Sequence, residues 1–198
     1  AALKRESQEK KTCMRHRLGG RDFLLDPTSF FQVNTQAAEH IAQMVVAHLN
    51  TVHISAEDRI LDLYCGVGAP TLLGAKDYRH IDGIEIQATA IQYAKMNAQR
   101  MGINSYKYVA GNVEKNIHAF EKQTILVLDP PRSGVEKKLL LLKNIQNCRS
   151  IIYISCNPAS LARDLSILQQ THEIEHIQPI DLFPHTPHVE TVVLLSRK

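Results

Sequence analysis

Apolar positions recur along this chain in two rhythms. From Thr35 to Asn50, residues Ala37, Ile41, Met44, Val45 and Leu49 fall on one face at helical spacing, which predicts an amphipathic helix. Beyond it come short apolar runs at Ile60–Tyr64, His80–Glu85, Tyr106–Val109, Thr124–Asp129, Ile151–Ser155, Glu173–Ile180 and Glu190–Leu195, which read as strands. Helical patterns at Ala88–Met101, Glu136–Gln146 and Pro158–Gln170 separate several of them. Parallel neighbours need crossover connections, so this alternation predicts an α/β fold with a doubly wound, mostly parallel seven-stranded sheet and helices on both faces. Only a turn-rich stretch around Phe183–Pro187 lies between the last two runs, which suggests an antiparallel pair at that edge. In open sheets of this kind, ligands sit beyond the carboxyl ends of the strands, where strand order reverses.

Composition narrows the picture. With 198 residues and 44% hydrophobic content, the chain can bury one extensive core, which argues against disorder. No apolar run reaches the roughly 18–20 residues needed to cross a bilayer, and the lysine-rich start lacks the apolar stretch of a signal peptide, so a cytoplasmic protein is expected. Cys13, Cys65, Cys148 and Cys156 are too scattered for a disulfide framework or a Cys-x-x-Cys pair. The net charge is +3, but residues 1–21 hold seven Lys/Arg against two acids, so the remainder sums to −2. That basic start reads either as a contact for RNA phosphates or as a solvated tail.

After the first sheet strand stands Asp62-Leu63-Tyr64-Cys65-Gly66-Val67-Gly68, whose glycines allow a tight turn and close backbone approach to a ligand. Taken alone it could be an ordinary turn. The second strand ends in Glu85, placed to accept hydrogen bonds from the ribose hydroxyls of an adenosine. There is no third glycine at the dinucleotide spacing and no P-loop lysine, so the pattern favours S-adenosylmethionine over NAD or ATP.

The fourth strand runs into Asp129-Pro130-Pro131-Arg132, where two prolines stiffen the backbone between Asp and Arg. The fifth runs into Ser155-Cys156-Asn157-Pro158, with Asn157 as helix cap and Pro158 as first helical residue. Cys156 then lies beside a helix N-terminus, where the dipole is expected to lower its pKa. The plain alternatives are a turn for the first motif and a buried structural cysteine for the second. Near the end, His185, His188 and Glu190 match no zinc spacing, and no metal is expected.

Together these residues resemble the RNA uracil-C5 methyltransferase family, which makes 5-methyluridine in transfer and ribosomal RNA. The resemblance rests on Ser29-Phe30-Phe31-Gln32-Val33-Asn34, Tyr64-Cys65-Gly66-Val67-Gly68, Asp129-Pro130-Pro131-Arg132, Ser155-Cys156-Asn157-Pro158, and Phe183-Pro184-His185-Thr186 followed by Glu190, in the family's order. It implies a Rossmann-like class I methyltransferase fold, with Gln32, Tyr64, Glu85 and Asp129 contacting S-adenosylmethionine beside the Gly66 turn. It makes Cys156 the nucleophile and Glu190 the base. Where the family often has Asn or a small residue and then an aromatic or Thr, this chain has Ala69-Pro70, which speaks against a side-chain contact there. The resemblance also implies that residues 1–34 close a central or RNA-binding region and that 35–198 form the catalytic domain. The expected partner is structured RNA, with Phe30 or Phe31 either stacking on a flipped base or packing in the core; the chain is expected to act as a monomer. Two alternatives stay open: an amino-group methyltransferase of nucleic acid, which needs no cysteine, and a non-catalytic RNA-binding module.

Overall fold

The computed structural model describes residues 13–27, 34–52, 58–74, 80–120, 122–182, 184–186 and 188–198. A hairpin of β1 (Met14–Leu18) and β2 (Arg21–Leu25) precedes helix α1 (Thr35–Thr51). Then follow β3 (Arg59–Leu63), α2 (Ala69–Gly74), β4 (His80–Glu85), α3 (Ala88–Arg100), β5 (Tyr106–Ala110), α4 (Val113–Asn116) and β6 (Ile125–Leu128). Two short helices, α5 (Lys137–Leu140) and α6 (Lys143–Gln146), lead to β7 (Ser150–Ser155), α7 (Pro158–Leu168), β8 (His172–Ile180) and β9 (Glu190–Arg197). Strands β3 to β9 form one seven-stranded sheet in the order β5-β4-β3-β6-β7-β9-β8. All neighbours are parallel except β9, which runs antiparallel to both β7 and β8.

Both faces of the sheet are covered, and the strands show it residue by residue. Ile60, Ile125, Val127, Ile152 and Ile154 belong to one buried cluster with α1 and α3, while Leu61, Leu63, Leu126, Leu128, Ile151 and Tyr153 belong to the other with α5, α6 and α7. This is the period-2 alternation of a pleated strand, with both sets apolar because neither face meets water. Among the described residues no helix is long and apolar enough to cross a membrane.

Two local features differ from the sequence expectation. The hairpin was not anticipated, although Gly19-Gly20 between two short runs is a turn signal: both glycines have positive φ, +54° and +73°, as a tight hairpin turn requires. Its inner residues Leu18, Phe23 and Leu25 join the α1/α3 cluster, and Asn97 of α3 clasps Leu24 through both backbone groups, at 2.8 and 3.0 Å. The helix expected over Glu136–Gln146 is two pieces. In a continuous helix Leu140 and Ile145 would point in different directions. The extended Leu142 (φ −67°, ψ 137°) resets the phase, so that both are buried, at 0% and 1% exposure.

Candidate functional site

Strand order reverses between β3 and β6, and the carboxyl ends of β3, β4, β5, β6 and β7 gather on one edge of the sheet. Because β9 is antiparallel, its first residue, Glu190, opposite Ile180 of β8, lies at the same edge, and Thr191 pairs with Ser155, just before Cys156. A cavity of about 850 Å³ opens there, lined by Tyr64, Gly66, Glu85, Asp129, Cys156 and Glu190 among others. That volume lies within the range of small-molecule cofactor sites.

The half beyond β3, β4 and β5 is shaped by backbone. Tyr64 and Cys65 both donate their N–H to the Ile84 carbonyl, at 2.9 and 3.2 Å, which curls the chain sharply after β3. Tyr64 takes up φ +65°, a conformation costly for a bulky residue and found mainly where surrounding structure or function demands it. Gly66 (φ +52°) has open space where a Cβ would stand, so the turn presents bare backbone to the cavity. Gly83 is tight instead: a Cβ would come within 2.6 Å of the Tyr108 ring and 2.8 Å of Cys65 Sγ. The Glu85 carboxylate accepts from the N–H groups of Gly66 at 3.2 Å and Gln87 at 2.9 Å, which fixes its orientation at the strand end. Ile86 beside it is 70% exposed and lines the cavity, an apolar surface suited to a flat ring.

The half beyond β6, β7 and β9 is shaped by side chains. Asp129 is half-buried and Glu190 buried, and desolvation pushes the pKa of each up to about 7; the charge of Glu85 adds to the shift of Asp129, and that of Asp129 to the shift of Glu190. Asp62, beneath them on β3, is also raised to about 7 by burial, opposed by the 2.5 Å hydrogen bond from Thr71 Oγ1. Asn157 caps α7 by accepting from the Ala159 N–H at 3.1 Å, and its Nδ2 donates to the Arg132 carbonyl at 2.9 Å, tying the two motifs together. Arg132 Nη2 donates to His188 Nδ1 at 2.7 Å, which brings in the loop before β9.

Cys156 departs from expectation in one respect. Its pKa lies above the ordinary thiol value, because burial dominates and the charges of Glu190 and Asp129 oppose ionisation more than a backbone hydrogen bond and Arg132 favour it. Sequence pointed to the helix N-terminus; it did not show that two carboxylates from distant segments would face the same sulfur.

The structure brings Tyr64, Gly66, Glu85, Asp129, Cys156 and Glu190 to one cavity. Gln32, Phe30, Phe31 and most of the motif around them lie outside the described residues. Ala69 and Pro70 line the cavity wall, Ala69 only through a methyl group. Among the described residues no group of three or more His, Cys, Asp or Glu is placed to hold a metal. Sequence reasoning missed Gly111-Asn112, which line the cavity just after β5, and Glu114, which accepts from Tyr64 Oη at 3.3 Å. The available signal was a Gly-Asn step at a strand end, with Asn112 capping the next helix.

The fold and this cavity define the class: a class I methyltransferase domain. Residues 35–149 match the model of the methyltransferase small domain, and residues 113–198 match that of the tRNA (uracil-5-)-methyltransferase family. The first of these matches spans more than half of the chain, and the chain belongs to the methyltransferase small domain family. It is 37% identical over 195 residues to an RNA methyltransferase of Bacillus cereus, covering 95% of this chain and 41% of that protein. With an RNA methyltransferase of Thermosynechococcus vestitus it shares 38% over 183 residues, covering 90% of this chain and 40% of the relative. The chain thus spans about two fifths of the length of these relatives. The crystal structure of Pyrococcus abyssi tRNA (uracil-54, C5)-methyltransferase in complex with S-adenosyl-L-homocysteine superposes with a TM-score of 0.75 at 32% identity, over 93% of this chain and 44% of that one. The M. jannaschii tRNA m1G37 methyltransferase, at 14% identity and a TM-score of 0.70 over 94% of this chain and 57% of that one, shares the fold.

Proposed function

We propose that this chain catalyses methylation of carbon 5 of a uridine in RNA with S-adenosylmethionine as methyl donor, through a covalent bond between Cys156 and the base. The observation that carries the reading is the convergence of Cys156, Asp129, Arg132 and Glu190, from three separate strand ends, beside an adenosine-sized cavity with an oriented carboxylate. The residues present suit the cofactor. Glu85 offers an acceptor pair to a ribose, Ile86 an apolar face to the adenine, and the Gly66 turn a side-chain-free surface, while Asp129 supplies negative charge near a sulfonium. When bound, S-adenosylmethionine supplies an electrophilic methyl group.

Carbon 5 of uracil is too weak a nucleophile to be methylated unaided. The Cys156 thiolate adds to carbon 6, forming a carbon–sulfur bond and sending the displaced electron pair toward carbon 5 as an enolate. Carbon 5, once methylated, still bears its hydrogen. The Glu190 carboxylate takes that proton, the electron pair restores the carbon 5–carbon 6 double bond, and Cys156 leaves as thiolate. A carboxylate with a pKa near 7 is poised to accept and release a proton at neutral pH. The base must leave any stack to enter the cavity, which is cheapest for a loop nucleotide. The name of the Pyrococcus abyssi relative makes transfer RNA the first substrate to try.

Mass spectrometry of the protein after incubation with S-adenosylmethionine and structured RNA containing 5-fluorouridine tests the reading. Fluorine cannot be removed as a proton, so a methylated RNA adduct on Cys156 is expected in the wild type and none in Cys156→Ala. An adduct-free wild type that binds both cofactor and RNA would refute the covalent route.

A further inference from the structure

Asp164, on α7, has a side chain with no exposure, and its two oxygens take four donors. Oδ2 accepts from the Val135 N–H at 2.8 Å and from Tyr153 Oη at 2.6 Å; Oδ1 accepts from Arg163 Nε at 2.9 Å and faces Arg163 Nη2 at 2.7 Å. The same Nη2 reaches back to the carbonyls of Ser133, at 2.9 Å, and Val135, at 3.2 Å. This adjacent pair therefore grips the backbone of the segment that follows Asp129-Pro130-Pro131-Arg132, holding one N–H and two carbonyls. The fit leaves no spare room. Gly134 has φ +75°, and a Cβ there would stand 2.5 Å from Asp164 Oδ2 and 2.6 Å from Arg163 Nη2.

Helix α7 is also the helix that starts immediately after Cys156-Asn157. Its cap, Asn157, holds the Arg132 carbonyl, and its second turn holds Ser133 and Val135. One rigid element thus carries the thiol at its head and fixes the neighbouring loop at two levels.

We infer that Arg163 and Asp164 are positioning residues that set the placement of Asp129 and Arg132 relative to the Cys156 sulfur; this rests on the covalent reading above for its catalytic consequence. Neither residue lines the cavity, whereas Ser133 and Gly134 of the loop they hold do. Buried carboxylates of this kind are costly unless fully satisfied, and here every donor but Tyr153 belongs either to the gripped loop or to the residue that grips it. Freeing the loop changes the direction of the Arg132 and Asp129 side chains, and a misplacement of about 1 Å at a reacting centre costs up to roughly 100-fold in rate.

The test compares Arg163→Met and the conservative Arg163→Lys with Leu168→Ala, a variant that truncates a fully buried side chain on the same helix while leaving every hydrogen bond from Arg163 and Asp164 to the loop in place. Two rates are measured per folded molecule, well below each melting temperature: formation of the 5-fluorouridine RNA adduct, and alkylation of Cys156 by iodoacetamide as a function of pH, read by peptide mass spectrometry. The second needs no RNA and reports on the charges facing the thiol, namely Glu190, Asp129 and Arg132. Positioning predicts adduct formation slowed roughly 10- to 100-fold in Arg163→Met, less in Arg163→Lys, with the alkylation midpoint displaced in the same order. Leu168→Ala should lower the melting temperature and leave both rates as in the wild type. Wild-type rates and midpoint in Arg163→Met would overturn the inference. A wild type without adduct would overturn the covalent reading instead, while the alkylation midpoints would still decide whether the pair positions the loop.

Discussion

The two halves of the cavity are built differently. The half at the ends of β3, β4 and β5 is mostly backbone: a left-handed Tyr64, the open Gly66, and one carboxylate, Glu85, steered by two N–H groups. The half at the ends of β6, β7 and β9 is made of side chains from three distant segments, and burial pushes its acids and its thiol toward their neutral forms. Binding a cofactor calls for shape and fixed dipoles, which a local turn can supply. Moving protons and a thiolate calls for groups near the edge of ionisation, which only the assembled fold provides.

This contrast can be broken most sharply at Cys156. Cys156→Ala should reduce 5-methyluridine formation by about 1,000-fold or more while leaving cofactor affinity, measured calorimetrically, as in the wild type. Loss of cofactor binding would show that the halves are not separable.

Glu190→Gln comes next, with turnover down roughly 100- to 10,000-fold and methylated RNA accumulating on the protein by mass spectrometry. The base works only when ionised, so with its pKa near 7 the wild-type rate should climb as pH rises through neutrality and fall away below it. A variant that retains turnover would remove Glu190 from the proton transfer.

On the backbone half, Glu85→Gln should weaken S-adenosylmethionine binding by about tenfold, the scale of one charge-assisted hydrogen bond, with little change in adduct formation at saturating cofactor. A large loss of the chemical step would place Glu85 in the reaction rather than in binding.

The smallest effect is on stability. Asp129 has its folded pKa raised to about 7, above the unfolded value of roughly 3.9, so its contribution is fully present below pH 4 and is lost as pH rises toward 7. Asp129→Asn should therefore raise the Tm of the free protein by about 2–4 °C at pH 8 and leave it unchanged near pH 4. An equal effect at both pH values would mean that the carboxyl is not destabilised by its surroundings.

The same division governs what the sequence disclosed. The five inner strands announced themselves through short apolar runs, because a sheet buried on both faces leaves little room for polar positions, while the edge strands β5 and β8 keep exposed polar residues. Glu85 and Cys156 could be singled out from local cues, a strand-end acid and a cysteine before a capped helix. Tyr64, Asp129 and Glu190 acquired roles mainly through family resemblance, and the structure explains why: Glu190 reaches the edge only because β9 is reversed. Asp164 looked like any charged helix residue, since nothing local shows that Gly134 will be laid against it. The raised pKa of Cys156 was equally hidden, being set first by burial in the assembled fold and then by carboxylates 27 residues before it and 34 after it in the chain.

Methylation at carbon 5 has one signature that methylation at nitrogen lacks: it expels the hydrogen on that carbon. Transfer RNA carrying [5-³H]uridine, incubated with the protein and S-adenosylmethionine, should release one tritium to water for each methyl group incorporated. Methyl incorporation with the tritium fully retained would contradict carbon-5 chemistry and assign the activity to a nitrogen.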